Sequence, residues 1–83
     1  MYKVRISTHA EKQIRKLPEK IQEAVIESFR ELKDTPYLGK KLSRELSDRF
    51  SYRINVYRIV YKINEKDKIV NILSAGHRAT VYD

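Results

Sequence analysis

The sequence has no cysteine, two glycines and two prolines in 83 residues. Without cysteine, neither a disulfide nor a thiolate metal site can stabilise the chain, which suits a reducing compartment. Because glycine and proline are scarce, linkers and disorder are disfavoured, and we expect one domain that spans residues 1–83. No apolar run approaches the ~20 residues needed to cross a bilayer, and no signal peptide opens the chain. We therefore expect a cytoplasmic protein with no membrane partner.

Several catalytic motifs are also missing. There is no glycine-rich phosphate loop, no G-x-S-x-G elbow and no H-E-x-x-H motif. The two histidines, His9 and His77, lie in different elements, and no carboxylate has ligand spacing to either. We therefore expect neither a metal site nor a cofactor. No isolated pair of carboxylates suggests glycosidase chemistry.

Positive charge is what the sequence has in excess. Lys and Arg number 18 against 11 Asp and Glu, which gives a net charge of +7. Residues 1–34 carry 8 basic and 6 acidic side chains, whereas residues 35–83 carry 10 and 5. The excess thus lies in the half whose pattern indicates a sheet. A basic domain of this size favours a polyanion partner, most often nucleic acid, and a basic surface without a function is the alternative.

Hydrophobic periodicity predicts one strand, two helices and three strands in that order. "MYKVRIS" alternates as a half-buried strand does. Thr8 and Glu11 have capping-box spacing, and Pro18 separates a first helix from a second one that closes at residues 34–36. "YLGKKLSRELSDRF" indicates a basic loop. From Phe50 onward the period is two, and "IVNILSAG" is apolar enough for a central strand buried on both faces.

This order predicts an α+β fold, β-α-α-β-β-β, with a helical hairpin packed on a small twisted, antiparallel-rich sheet. The first strand has no hairpin partner, so we expect it to pair in parallel with the last strand in the sheet centre. The second helix also carries an acidic row, formed by Glu19, Glu23, Glu27 and Glu31. The row is either a solvated face paired with nearby basic residues or a contact surface for a basic partner segment.

"SYRINVYRIVYKI", residues 51–63, places two arginines inside a strand pattern. With a two-residue turn at Asn55-Val56, Arg53 faces Arg58 across the hairpin. Directly opposed like charges destabilise a sheet pair unless water screens them or an anion lies between them. Guanidinium groups fit phosphate oxygens in a bidentate way. The pair is therefore either a phosphate clamp or two strand arginines with solvated head groups.

The C-terminal "GHRATVY" adds groups of the same kind. Arg78 is a third guanidinium, and His77 is an imidazole that can act as an acid or a base. Tyr82 offers a ring that can stack on a base and a hydroxyl that can exchange a proton. The alternatives are a tyrosine packed on the sheet and an exposed loop histidine.

"YRINVYRIVYKI" resembles the "YRIGNYRIIYEI" hairpin of the RelE/ParE toxin superfamily, and "AGHRATVYD" resembles its "VGHRxxVY" ending. "KKLSREL" is similar to the loop before that hairpin, and "AEKQIRKLP" to the first helix. The resemblance covers essentially the whole chain and keeps the element order. It implies a toxin of a prokaryotic type II toxin–antitoxin system. Members with intact sites are ribosome-dependent, metal-independent endoribonucleases that cut mRNA in the ribosomal A site, so ribosome and mRNA are the implied partners.

The resemblance also implies roles for individual residues. Arg58 matches the arginine that holds the scissile phosphate, and Arg78 matches the arginine near the leaving oxygen. Tyr82 matches the tyrosine that stacks on the substrate base or helps to activate the 2′-hydroxyl. Arg53 is the best match for a basic residue of the second strand, where a lysine pair occurs in the family, and His77 is a candidate acid or base. The basic loop adds the expected substrate-binding residues Lys40, Lys41, Arg44 and Arg49.

The same resemblance leaves a second function open, a ParE-like inhibitor of DNA gyrase that binds without cutting RNA. That branch tends to lack the catalytic arginine and tyrosine, so Arg58, Arg78 and Tyr82 favour the nuclease. A plain nucleic-acid-binding protein or a degenerate toxin is the third possibility. For a toxin we expect a RelB-like antitoxin, acidic and partly disordered when free, that covers the cationic groove.

Overall fold

The computed structural model describes residues 1–42 and 48–77. The elements described are β1 (Lys3–Ile6), α1 (Thr8–Arg15), α2 (Glu19–Asp34), a 3-10 turn (Pro36–Leu38), β2 (Lys40–Lys41), β3 (Arg49–Ile54), β4 (Tyr57–Asn64) and β5 (Ile69–His77). The predicted α+β class is confirmed. The difference in element order is β2, a two-residue strand within the stretch that we expected to be a loop. Neither described helix is long and apolar enough to cross a membrane.

The strands form one sheet in the order β1-β5-β4-β3-β2. β1 pairs in parallel with β5, as predicted, and the other neighbours are antiparallel. The prediction that β1 lies in the sheet centre is wrong, because β1 pairs with β5 alone and forms an edge. The prediction that β5 is buried on both faces is also wrong. Val70, Ile72 and Ala75 are buried while the residues between them are only partly buried, since both helices cover the same face.

The start of α1 differs by one residue from the predicted cap. Ser7, not Thr8, is the N-cap, and its Oγ accepts a hydrogen bond from the Ala10 N–H at 3.0 Å. The Ser7 hydroxyl donates to the Leu73 carbonyl at 3.1 Å, and the Ser7 N–H donates to the Ile72 carbonyl at 3.0 Å. Ser7 thus caps the helix and ties it to β5 at the point where the chain leaves β1.

Beyond β1, α1 satisfies the exposed edge of β5. The β1–β5 ladder ends at the pair Ile6 and Ile72. Three residues later, the Ala75 N–H donates to Oε1 of Gln13 at 2.8 Å. A side chain of α1 therefore replaces the missing strand partner, which keeps the end of β5 hydrogen-bonded.

The core lies between the helices and one face of the sheet. It consists of Ala10, Ile14, Val25, Phe29, Leu32, Ile59, Tyr61, Val70, Ile72 and Ala75. The four glutamates of the acidic row of α2 are exposed. Within it, Glu27 pairs with Arg30 at 3.5 Å, and Glu31 accepts a hydrogen bond from the Tyr52 hydroxyl at 3.1 Å. These contacts are what a solvated charged face is expected to make.

Candidate nucleic-acid interface

Charge is segregated between the two layers of the fold. The five described strands contain eight Lys and Arg residues and no Asp or Glu. The two helices contain six acidic and five basic residues. The basic residues of the strands are Lys3, Arg5, Lys40, Lys41, Arg49, Arg53, Arg58 and Lys62. The sheet is therefore the cationic layer, and an anionic partner is attracted to it.

Strand alternation assigns most of these cations to the uncovered side of the sheet. Ile59 and Tyr61 belong to the core, so Arg58 and Lys62 project from the opposite face of β4. We call that opposite face the open face. The cross-strand register adds five more basic residues to it, namely Lys3, Arg5, Lys40, Arg49 and Arg53. Lys41 pairs with Phe50, which packs against the core, and so falls on the helical side.

The hairpin of β3 and β4 has the predicted register. Arg53 is paired with Arg58 across a two-residue turn, and Asn55 has a φ of 56°. Asparagine tolerates this left-handed conformation better than most residues. The Nε–H of Arg53 donates to the Asn55 carbonyl at 3.1 Å, which holds the stem of Arg53 near the turn. Directly paired residues have Cβ atoms about 4.5–5.5 Å apart, so the two guanidinium groups can reach one anion.

Arg58 has different neighbours on its two sides. On the β3 side its partner is Arg53, and on the β5 side its partner is Gly76. Glycine has no side chain, so nothing projects from position 76 over the open face beside Arg58. Arg58 is half-buried and Arg53 is exposed. The pair therefore combines one partly buried arginine with one that is exposed to solvent.

His77 is not on the same face as this arginine pair. It is paired with Tyr57, and the two rings make an edge-to-face contact with centroids 6.0 Å apart. Tyr57 and His77 alternate with Arg58 and Gly76, so the register assigns His77 to the helical side. The catalytic role of His77 stays a prediction. Arg44, Arg78 and Tyr82 lie outside the described residues, and their roles stay predictions as well.

Two of the predicted substrate-binding residues of the loop lie on the open face, whereas Lys41 lies on the helical side. Lys40 pairs with Ser51 and Arg49 pairs with Lys62, which puts both cations on the open face with Arg53. Lys62 and Arg5 lie on the same rung of the sheet as Arg49, and the sequence analysis did not include them among the site residues. The signal was available, because both residues alternate with apolar neighbours in predicted strands.

A carboxylate is already present among these cations. Oδ2 of Asp48 lies 3.0 Å from Nζ of Lys62, and its Oδ1 lies 3.9 Å from Nε of Arg49. The hydrogen bond from Lys62 holds the pKa of Asp48 below its usual value, against the smaller opposing effect of desolvation. Within residues 1–42 and 48–77, no group of three or more His, Cys, Asp or Glu side chains could hold a metal ion. What the described part of the open face can bind is an oxyanion.

The fold and this face define a small, basic α+β domain suited to a polyanion. Comparisons with known proteins narrow the class. The sequence model described as "ParE toxin of type II toxin-antitoxin system, parDE" matches residues 4–82. The chain is 42% identical over 83 residues to Toxin RelG of Mycobacterium tuberculosis, covering 98% of this chain and 95% of that toxin.

Solved structures agree with these matches. The toxin–antitoxin complex RelBE2 of M. tuberculosis contains a chain that is 40% identical with a TM-score of 0.85, covering 93% of this chain and 98% of that one. The archaeal RelE–RelB complex of Pyrococcus horikoshii contains one that is 26% identical with a TM-score of 0.82, covering 96% and 98%. The chain belongs to the RelE/ParE superfamily and is a RelE-family toxin of a type II toxin–antitoxin system. The resemblance noted in the sequence is thereby confirmed.

Proposed function

We propose that this toxin is a ribosome-dependent endoribonuclease that cuts mRNA in the ribosomal A site without a metal ion. The observation that carries the proposal is the pairing of Arg53 with Arg58 on the open face. Opposed like charges cost stability in a sheet pair, so an anion that binds between them has a site prepared for it.

The reaction is an in-line attack of a 2′-hydroxyl on the adjacent phosphate. A bond forms between O2′ and phosphorus, and the bond between phosphorus and O5′ breaks, which yields a 2′,3′-cyclic phosphate and a free 5′-hydroxyl. Negative charge accumulates on the non-bridging oxygens in the transition state. Arg53 and Arg58 stabilise that charge through hydrogen bonds that need no reorganisation as the reaction proceeds.

Two proton transfers complete the reaction. One proton leaves the 2′-hydroxyl, and another reaches O5′ of the departing nucleotide. By resemblance, Tyr82 takes part at the 2′-hydroxyl and Arg78 lies near the leaving oxygen. Tyrosine ionises at a pKa near 10, so Tyr82 serves as a base only if neighbouring cations lower its pKa. His77 is the more conventional acid or base, although its register places it away from the arginine pair.

The test is to program purified ribosomes with a defined mRNA, add the toxin and map the new 5′ ends. Cuts spaced by codons, with cyclic phosphate on the upstream fragment, support the proposal. Arg58→Lys keeps the charge but loses bidentate binding, so we expect the cleavage rate to fall about 100-fold. Arg30→Lys, on the helical layer, is the matched control and should keep its rate. Intact mRNA in the presence of folded toxin would refute the nuclease.

The family model that matches this chain is that of the ParE toxin, and this match supports a second candidate function. In this alternative the cationic sheet face binds a protein or DNA surface, and the protein inhibits DNA gyrase without cutting RNA. Supercoiling by purified gyrase discriminates between the two. Inhibition of supercoiling with no RNA cleavage would favour the gyrase inhibitor.

We also propose an antitoxin partner of the RelB type. The related chains of M. tuberculosis and P. horikoshii were solved in complexes with their antitoxins. A partner that covers the open face here must neutralise seven basic side chains, so we expect an acidic segment that is partly disordered when free. Affinity purification of the toxin from its native host should recover a small acidic protein in stable complex. Recovery of the toxin alone would contradict this proposal.

A further inference from the structure

We propose that the open face has a second RNA-backbone site, distant from the arginine pair, that binds the nucleotides leading to or from the scissile phosphate. We call it the distal row. It consists of Arg49, Lys62, Asn71 and Arg5. This inference rests on the proposed function, because it extends the RNA path over the same face.

The register forms the row. Arg49 is paired with Lys62, Lys62 with Asn71 and Asn71 with Arg5, so one residue comes from each of β3, β4, β5 and β1. Neighbouring strands lie about 4.8 Å apart, so the row runs roughly 14 Å across the sheet. Three of its four side chains are cationic and the fourth is an amide that can donate hydrogen bonds. The row therefore presents donors along a line rather than at a point.

Part of the row lines a cleft of about 350 Å³. Its lining includes Arg5, Lys62 and Asn71 of the row, together with Ser7 and Thr8 at the start of α1. The N-terminal end of a helix carries partial positive charge, so it adds to the attraction that the two cations exert on an anion. The cleft is open to solvent and suits a backbone segment that passes through it.

The carboxylate of Asp48 lies against two cations of the row. It lies 3.0 Å from the Lys62 ammonium and 3.9 Å from Nε of Arg49. Asp48 belongs to the turn that precedes β3, not to the row itself. A phosphate of bound RNA can take the place of this carboxylate, which makes Asp48 a competitor for the site.

The distal row and the arginine pair cannot bind the same phosphate. Arg49 and Arg53 are four residues apart on β3, and Lys62 and Arg58 are four apart on β4, which corresponds to about 13 Å along a strand. The rung between them consists of Lys40, Ser51, Val60 and Ser74, so its one cation lies on the edge strand β2 and β3, β4 and β5 contribute no charge to it. An RNA strand that engages both sites must therefore extend over several nucleotides. The phosphates of such a strand repeat at regular intervals, so RNA can occupy both sites, whereas a single acidic side chain can occupy only one.

The test uses oligouridylates of about 3 and about 12 nucleotides, because only the longer one spans both sites. Their affinities are measured by fluorescence anisotropy at several salt concentrations. For Arg5→Gln combined with Lys62→Met, the affinity for the longer RNA should fall about 10-fold or more. The slope of log K against log salt should fall by about 1.4, which is two phosphate contacts of a single strand. The affinity for the shorter RNA should stay within about twofold.

The matched control removes one arginine and one lysine from the helical layer, as Arg30→Gln combined with Lys20→Met. It should leave both affinities within about twofold of the starting protein. If the distal-row variant behaves like this control, or if both RNAs lose affinity equally, the distal row is refuted. Thermal melting of each variant establishes that it is folded.

Asp48→Asn tests the row in the opposite direction. Removing the competing carboxylate should tighten binding of the longer RNA several-fold while the shorter RNA is unaffected. Asp34→Asn, at the end of α2, is its charge-matched control. Equal effects of the two substitutions would contradict a specific site. The ribosome assay is independent of these binding measurements. If mRNA stays uncut but RNA binding depends on the distal row, only the nuclease proposal is refuted. If mRNA is cut but RNA binding does not depend on the distal row, only the distal-row proposal is refuted.

Discussion

Gly39 and Tyr61 are joined by a hydrogen bond that reaches from the loop before β2 into the core. The Gly39 N–H donates to the Tyr61 hydroxyl at 2.9 Å, and that hydroxyl donates to the Pro36 carbonyl at 2.8 Å. The Tyr61 side chain is fully buried, and burial is the main cause that raises its pKa. Because this phenol fixes residues 36–39, it also fixes where Lys40 enters the open face.

Gly39→Ala should destabilise the protein. A Cβ at position 39 would lie 2.6 Å from the Tyr61 hydroxyl and 2.8 Å from the Ser51 carbonyl oxygen, so the surrounding structure must shift to relieve both contacts. Overpacking of this kind costs about 1–3 kcal/mol in the free energy of unfolding. Urea denaturation measures it. Tyr61→Phe, which leaves two backbone groups unpaired, should cost about 1–3 kcal/mol. Because the added methyl and the hydroxyl collide, the double variant should lose less than the sum of the two costs.

Gln13→Leu should loosen the end of β5. The substitution removes the acceptor of the Ala75 N–H, and an unsatisfied buried donor costs about 1–3 kcal/mol. Amide hydrogen exchange at Ala75 should accelerate more than exchange at Val70, which lies within the β1–β5 ladder. Gln13→Glu keeps an acceptor oxygen and should retain most of the protection. Unchanged exchange at Ala75 in the leucine variant would show that the side-chain bond does not hold the strand.

Arg53→Thr should raise stability while it lowers RNA binding. The substitution removes one of two directly opposed guanidinium groups, and such pairs cost about 0.2–1 kcal/mol. Added salt screens the repulsion, so it should stabilise the starting protein more than it stabilises the variant. Thermal melting across a salt series checks both statements. A variant that is less stable at low salt would mean that the pair is not repulsive.

Glu65 should contribute to stability at neutral pH and lose that contribution in acid. A hydrogen bond from Tyr2 is the main cause that lowers the pKa of Glu65 from its usual value of 4.5. A carboxyl group whose pKa is lowered by folding stabilises the fold above its unfolded pKa and stops doing so as the pH falls through the folded pKa. The pKa values of Tyr2 and Tyr37 shift in the opposite direction. Hydrogen bonds to Glu65 raise the pKa of both, that of Tyr37 to about 12, so their contribution is lost only in strong alkali.

Glu65→Gln tests this linkage. Between about pH 6 and about pH 3, the melting temperature of the starting protein should fall more than that of the variant, because the variant has no carboxylate at position 65 to protonate. Glu23→Gln, from the exposed row of α2, is the control and should reproduce the fall of the starting protein. Parallel melting curves for all three proteins would contradict a role for the Glu65 cluster.

Local patterns were enough to predict both helices, four of the strands and the hairpin. Period-two alternation identified β1, β3 and β4, and a continuous apolar run identified β5, whereas the two-residue β2 was missed. The turn at Asn55-Val56 set the pairing of Arg53 with Arg58, since the two residues are only five apart in the chain. The cap of α1 was harder. Ser7 and Thr8 both carry a hydroxyl, and the tertiary bonds of Ser7 to Ile72 and Leu73 determine which one caps the helix.

The sequence by itself determined the α+β class, the basic character and the opposed arginines, because each depends on composition or on residues close in the chain. Only the tertiary structure decided that β1 is an edge strand and that Arg5, Arg49 and Lys62 share a row with Asn71. The register between distant strands depends on how the helices pack against one face of the sheet. That packing sums many weak contacts across the whole core, which no short stretch of sequence contains.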